Sequence, residues 1–273
     1  MDRFSLKPIT SKENKQLKAA AKLIQGKKYR QQQGRFLAEG LRLCGDILRS
    51  GLCLRQLFLT QEELERSGAA LDGLLDRAEE AFTLPAELAA RLSDTQTPQG
   101  VFGVFDLPQT SSEEASFSGR RFLLLCSLQD PGNIGTILRS CEAFGVDEVV
   151  LSADCPDLYS PKLLRATMGG LFRLRHRVVP DMAAAIRQLQ GEGVRVYATA
   201  LRPDSIPITQ VDFSAAPSAV AIGNEGNGLS KQLLDCCDAA VIIPMEGAAE
   251  SLNAAVAASI SIWEMSRQSL CQK

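Results

Sequence analysis

The sequence has one histidine, His176, and none of its eight cysteines forms a CxxC pair. Structural zinc sites need ligands paired at short spacing and His176 is the only histidine, so neither a metal nor a histidine-based triad is expected. The cysteines read instead as reduced, mostly buried small hydrophobes. No apolar run reaches the ~20 residues that cross a bilayer, which leaves no membrane partner to expect. The opening MDRFSLKPITSKENK lacks the apolar core of a signal peptide. Its acids and its lack of Arg/Ser bias also separate it from a transit peptide, so the expected location is cytoplasmic.

The 273 residues leave room for two domains, and 45% hydrophobic with 23% charged residues is ordinary for a globular protein. Charge is unevenly spread. Residues 1–50 hold twelve Lys or Arg against four acids, a balance of +8, so the other 223 residues carry −10 of the net −2. A basic segment on an acidic body suits an anionic polymer, although a solvated helix face in LKAAAKLIQGKKYRQQQ explains it about as well.

Residues 107–119, LPQTSSEEASFSG, are polar and aperiodic and predict a linker. Before it, at 1–106, helical patterns (ENKQLKAAAKLIQ, AEGLRLCGDILRS, EELERSGAALDGLLDRAEE) alternate with short apolar runs (LRQLFLT, AFTLP, GVFGVFDL), giving a small α/β domain. After it, at 120–273, the alternation is clearer. RFLLLCSL, EVVLSA, RHRVV, RVYATAL, SAVAIG and AAVIIPM read as strands, and helical patterns lie between and after them. Short continuous apolar runs alternating with helices predict a mostly parallel sheet covered on both faces. Ligands of such folds gather at the C-terminal strand ends.

Three loops lie at such ends. SLQDPGNIGTILRSCEAFG (127–145) holds Asn133 and, six residues on, Arg139; VAIGNEGNGLS (220–230) holds Glu225 between glycines; IPMEGAAESLN (243–253) ends in Ser251 and Asn253. Capping and surface charge explain each loop taken singly. Together they bring Asn, Arg, Glu and Ser side chains to one crevice. A phosphate cradle fits poorly: GNEGNG has the order G-x-x-G-x-G, no lysine follows Gly228, and Arg139 is the only basic residue in the three loops.

In order and spacing, DPGNIGTILRSCEAFG, IGNEGNGLS and IPMEGAAESLNAAVA resemble the three motifs of the SpoU (TrmH) family of RNA ribose 2′-O-methyltransferases, in the knotted SPOUT class. SPKLLRATMGGLFRL resembles the family's intermediate segment. ITSKENKQLKAA, GRFLAEGLRL and LSDTQTPQGVFGV resemble its ribosomal-protein-like substrate-binding domain, so the likeness covers essentially the whole chain. Ala254-Ala255 departs from a common Val-Ser or Val-Ala pair.

The resemblance implies a trefoil-knotted catalytic domain, a homodimer, S-adenosylmethionine as cofactor and RNA as substrate, ribosomal RNA first and tRNA as the alternative. It assigns Asn133, Arg139, Glu225, Ser251 and Asn253 to catalysis. Thr199 and the main chain near Gly223, Ile243 and Leu252 would hold the cofactor. Arginine is a poor proton acceptor, so Arg139 is expected to fix a substrate phosphate and stabilise oxyanion charge, with Asn133 and Glu225 orienting it or the ribose. Two rivals stand beside this: a catalytically inactive RNA-binding relative, and a nucleotide-dependent α/β enzyme acting on small molecules.

Overall fold

The computed structural model describes residues 6–108, 116–247 and 251–270. Residues 109–115 of the expected linker, 248–250 of the third loop, and Asp2 and Arg3 of the basic segment lie outside them. The chain divides into two compact units. One is Met1–Gln109 with Asp157–Phe172; the other is Thr110–Pro156 with Arg173–Lys273.

The first unit runs β1 (Leu6–Pro8), α1 (Lys15–Gln25), α2 (Lys27–Gln33), β2 (Arg35–Glu39), α3 (Leu41–Arg49), β3 (Leu54–Thr60), α4 (Gln61–Ser67), α5 (Asp72–Leu75), β4 (Glu80–Leu84), α6 (Ala86–Ala89) and β5 (Val101–Asp106). Its sheet has the order β1-β4-β3-β5-β2, with β5 antiparallel to both its neighbours. α1 forms because Asn14 caps it, accepting from the Gln16 and Leu17 amides at 2.9 and 3.2 Å. Leu17, Ala20 and Leu23 are buried at helical spacing, while Lys15, Lys18 and Lys22 are exposed.

Two helical expectations change here. AEGLRLCGDILRS is helical only from Leu41, because Ala38 and Glu39 finish β2 and Gly40 turns the chain at φ 105°. EELERSGAALDGLLDRAEE is broken at Gly68, whose φ of 48° ends α4, and its last residue opens β4.

The later segment Asp157–Phe172, with α8 (Pro161–Thr167), is part of this unit. Arg30 on α2 is buried, pairs with Asp157 at 2.7 Å, and donates to the Leu23 and Ile24 carbonyls. Phe36 of β2 stacks on Phe172 at 5.8 Å and meets Tyr159 at 5.1 Å. Arg165 of α8 bonds Asp94 through both ends of its guanidinium.

The second unit holds β6 (Arg121–Leu125), α7 (Pro131–Phe144), β7 (Glu148–Ser152), β8 (Arg175–Val179), α9 (Met182–Gly191), β9 (Arg195–Thr199), β10 (Ile206–Pro207), β11 (Ser218–Ile222), α10 (Lys231–Cys236), β12 (Ala239–Ile242) and α11 (Ala254–Leu270). All seven strands are parallel, in the order β10-β12-β9-β11-β6-β7-β8. Phe122, Leu123, Leu124 and Leu125 of β6 are all fully buried. That is why β6 reads as an unbroken apolar run, since both faces are covered. Consecutive β6, β7 and β8 lie side by side, and the chain then crosses back to place β9 and β11 on the other side of β6. The direction of winding reverses at β6, the position where open parallel sheets form a ligand crevice.

Candidate active site

The crevice is built by the loops after β6 and β11, which are neighbouring strands paired from Ser218–Arg121 to Ile222–Leu125. Asp130, not Asn133, caps α7, accepting from the Gly132 amide at 3.0 Å, with Pro131 as the first helical residue. Asn133 therefore sits in the first turn, with its side chain released from capping.

That side chain makes two links. Its amide donates to Glu225 Oε1 at 3.0 Å, and its carbonyl oxygen accepts from Asn253 Nδ2 at 3.1 Å. Asn253 also caps α11, its Oδ1 accepting from the Ala255 and Val256 amides at 2.9 and 3.3 Å. Residues from three loops, 92 and 120 positions apart, thus form one chain of hydrogen bonds. Glu225 takes further bonds from the amides of Gln129 at 3.0 Å and Asp130 at 3.1 Å. Partial burial pushes the Glu225 carboxyl up. The Asn133 amide and the main-chain N–H groups of Glu225, Asp130 and Gln129 outweigh that and hold it below the ordinary carboxylate value.

The GNEGNG loop is folded against itself. Asn224 and Gly228 bond reciprocally through their main chains at 3.0 and 2.9 Å. The Asn224 side chain accepts from the Gly226 and Asn227 amides at 2.9 and 3.1 Å. Gly228 sits at φ 65°, and a Cβ on Gly223 would lie 2.2 Å from the Gly228 carbonyl carbon. Two of the glycines are thus explained by the loop's own closure. Asn224 Nδ2 then reaches the Ser127 carbonyl at 2.8 Å, fastening this loop to the first.

Arg139 stands apart. It lies on α7, exposed, with no hydrogen bond or ion pair among the described residues. Neither Asn133 nor Glu225 holds it; those two hold each other. Ser251 is exposed and likewise unbonded among the described residues, two positions before Asn253. Thr199 ends β9 and donates its hydroxyl to the Ala221 carbonyl of β11 at 2.8 Å. Gly223 is buried, and Ile243 and Leu252 are half-buried, on the segments that leave β11 and β12.

Sequence reasoning passed over Asn224, Gln129 and Asp130 as parts of this network. Asn224 had a legible signal, an Asn in a glycine-rich turn two residues before Gly226, where its side chain bonds the main chain two residues on. The Gln129 and Asp130 contributions are main-chain N–H groups and leave no mark in side-chain identity.

Comparison with known proteins adds a second line of observation. Residues 120–263 match the model of the SpoU rRNA Methylase family, and residues 14–103 match an MRM3-like substrate binding domain. The chain is 32% identical to the 23S rRNA (guanosine(2553)-2′-O)-methyltransferase RlmP of Bacillus subtilis, over 95% of this chain and 99% of that one. It is 39% identical to the tRNA (guanosine(18)-2′-O)-methyltransferase of Thermus thermophilus over 54% of this chain and 75% of the relative. Among solved structures, the AdoMet-bound rRNA methyltransferase from Sinorhizobium meliloti superposes with a TM-score of 0.84 at 30% identity, over 96% of this chain and 98% of that one. The three loops, the parallel sheet that presents them and the family match over more than half of the length agree: the chain belongs to the SpoU rRNA methylase family.

Proposed function

We propose that this protein transfers a methyl group from S-adenosylmethionine to a ribose 2′-hydroxyl of ribosomal RNA. The observation that carries the reading is the Glu225–Asn133–Asn253 network at the strand ends, with Arg139 exposed further along the same helix. The extent of the likeness favours ribosomal RNA: the Bacillus relative named for 23S rRNA aligns over 95% of the chain, the Thermus relative named for tRNA over 54%.

The residues present fit the cofactor. Apart from Arg139 the three loops offer no cation, which suits an adenosine and a methionyl chain and not a polyphosphate. Thr199 and the main chain at Gly223, Ile243 and Leu252 are the groups that would hold it, and when bound it supplies an electrophilic methyl on a sulfonium. Arg139 binds an RNA phosphate beside the target ribose and stabilises the charge that grows on the 2′-oxygen. Arginine stays protonated, so the proton passes to another acceptor, for which the substrate phosphate is the candidate. Asn133 and Asn253 orient the ribose, Glu225 fixes the first loop that carries Asn133, and Ser251 lies two positions before Asn253. Arg139→Ala should lower methyl transfer by roughly a hundredfold or more while S-adenosylmethionine still binds. Calorimetry beside a tritiated-methyl assay measures both, and full turnover in the variant would remove Arg139 from the mechanism.

We also take residues 120–273 as a trefoil-knotted catalytic domain, of which Asp157–Phe172 belongs to the first compact unit, 1–106 as an RNA-binding domain and 107–119 as their link, and the protein as a homodimer. Support for the dimer lies on the α7–α11 face. Trp263 meets Phe144 edge-on at 5.5 Å yet remains 43% exposed, and Val256 is 47% exposed. Large apolar side chains left open in this way mark an association surface.

A further inference from the structure

Ser127 follows β6 by two residues and has φ 56°, one of two non-glycine residues in the left-handed region among those described. A side chain makes that region unfavourable, so something must hold the backbone there. The Ser127 amide donates to the Ser152 hydroxyl at 2.8 Å, and that hydroxyl donates in turn to Asp154 Oδ1 at 2.5 Å. The order matters. A hydroxyl accepts an N–H in a fixed direction only if its own proton is drawn elsewhere, and the Asp154 carboxylate draws it. The Ser127 and Ser152 hydroxyls together hold the Asp154 carboxyl below its ordinary value, so it remains a full acceptor at neutral pH. Gln129 closes the circuit, its side-chain amide donating to the Ser127 carbonyl at 3.0 Å and to the Asp154 carbonyl at 3.3 Å.

The consequence falls on the crevice. The same Ser127 carbonyl takes the Asn224 side chain, and the next amides along, those of Gln129 and Asp130, are the ones bonded to Glu225. We propose that Asp154, outside the three motif loops, is a positioning residue for methyl transfer: through Ser152 it locks Ser127 in its left-handed conformation and so aims the Gln129 and Asp130 amides at Glu225. This rests on the methyltransferase reading for its kinetic consequence but not for its structural one, and the test separates the two.

Asp154→Ala and Asp154→Asn are made in the full-length protein, and Asp154→Ala is also combined with Ser127→Gly, because glycine adopts the left-handed conformation without being held there. The first measurement is amide hydrogen exchange at Gln129 and Asp130, which needs no RNA. Asp154→Ala accelerates it at least several-fold, Asp154→Asn by less since its oxygen still accepts, and Ser127→Gly in the Ala background returns it toward the wild-type rate. The second is steady-state methyl transfer. Asp154→Ala lowers kcat roughly ten- to hundredfold with KM for S-adenosylmethionine within twofold, and Ser127→Gly recovers most of the loss. Unchanged exchange in Asp154→Ala, or no recovery in the double variant, overturns the proposal. Wild-type protein that methylates no RNA sinks the methyltransferase reading, while the exchange experiment still decides the role of Asp154.

Discussion

Glu225 carries an exposed carboxylate that accepts from the Asn133 side chain and from the Gln129 and Asp130 amides. That crowding assigns it to holding the loop, since a carboxylate so engaged has little basicity to offer. Its pKa is depressed in the folded protein, so its contribution to stability is complete above the ordinary value of 4.5 and is lost as pH falls through the lower, folded value. Glu225→Gln keeps the shape but loses the charge and one acceptor. The melting temperature of the variant should lie below wild type at pH 7, and the gap should close on acidification below pH 4.5. A gap that persists in acid would mean the carboxylate's charge is not what binds the loop. Asn133 and Asn253 behave differently: each has one end spent on the other and one end spent on Glu225 or on the α11 amides, so their geometry depends on three loops at once.

Among elements, α8 and its flanks are the least expected. The intermediate segment follows β7 in the chain, yet it belongs to the N-terminal unit. Arg30 is the pivot. Counted with the basic segment from sequence, it is 4% exposed and committed to Asp157 and two carbonyls of α1. Arg30→Ala would leave the mostly buried Asp157 charge uncompensated, and removing one partner of such a pair costs about 3 kcal/mol or more. Urea unfolding followed by a probe in the N-terminal unit measures this; a loss under about 1 kcal/mol would mean the pair is screened like a surface bridge. The helix expected at EELERSGAALDGLLDRAEE failed for a local reason. Its apolar spacing is sound, but Gly68 takes φ 48°, which breaks a helix that periodicity alone continues.

At the scale of the whole molecule, charge and apolar exposure make two further claims. The basic N-terminal segment is not uniformly available, because Lys7 pairs with Glu80, Lys18 with Glu13 and Arg49 with Asp46. Lys12, Lys15, Lys27 and Lys28 are exposed and have no acidic partner among the described residues. Replacing these four with glutamine should weaken RNA binding and reduce the slope of log K against log salt by roughly 0.7–0.9 for each phosphate no longer neutralised. An unchanged slope would make them solvated surface only. For the homodimer proposed above, Trp263→Glu should leave a monomer in sedimentation velocity with the fold retained; an unaltered sedimentation coefficient would move the interface away from α11.

Much of this protein follows from residue type and order. β3 spans the seven residues of LRQLFLT, β8 the five of RHRVV, and Asn253 caps its helix, because apolar runs, turn residues and caps are local signals written in the side chains. The same alternation carries the motif residues to the right strand ends, since a parallel sheet built from alternating strands and helices puts every such loop on one side. Which of those residues meet is a matter of three-dimensional packing. The pairing of Asn133 with Glu225, the commitment of Arg30 to Asp157 and the part of Asp154 depend on packing and main-chain N–H direction, through bonds across 92, 127 and 25 positions. The Asn133–Glu225 pairing is settled only when β11 is laid beside β6, and no spacing within the chain records it.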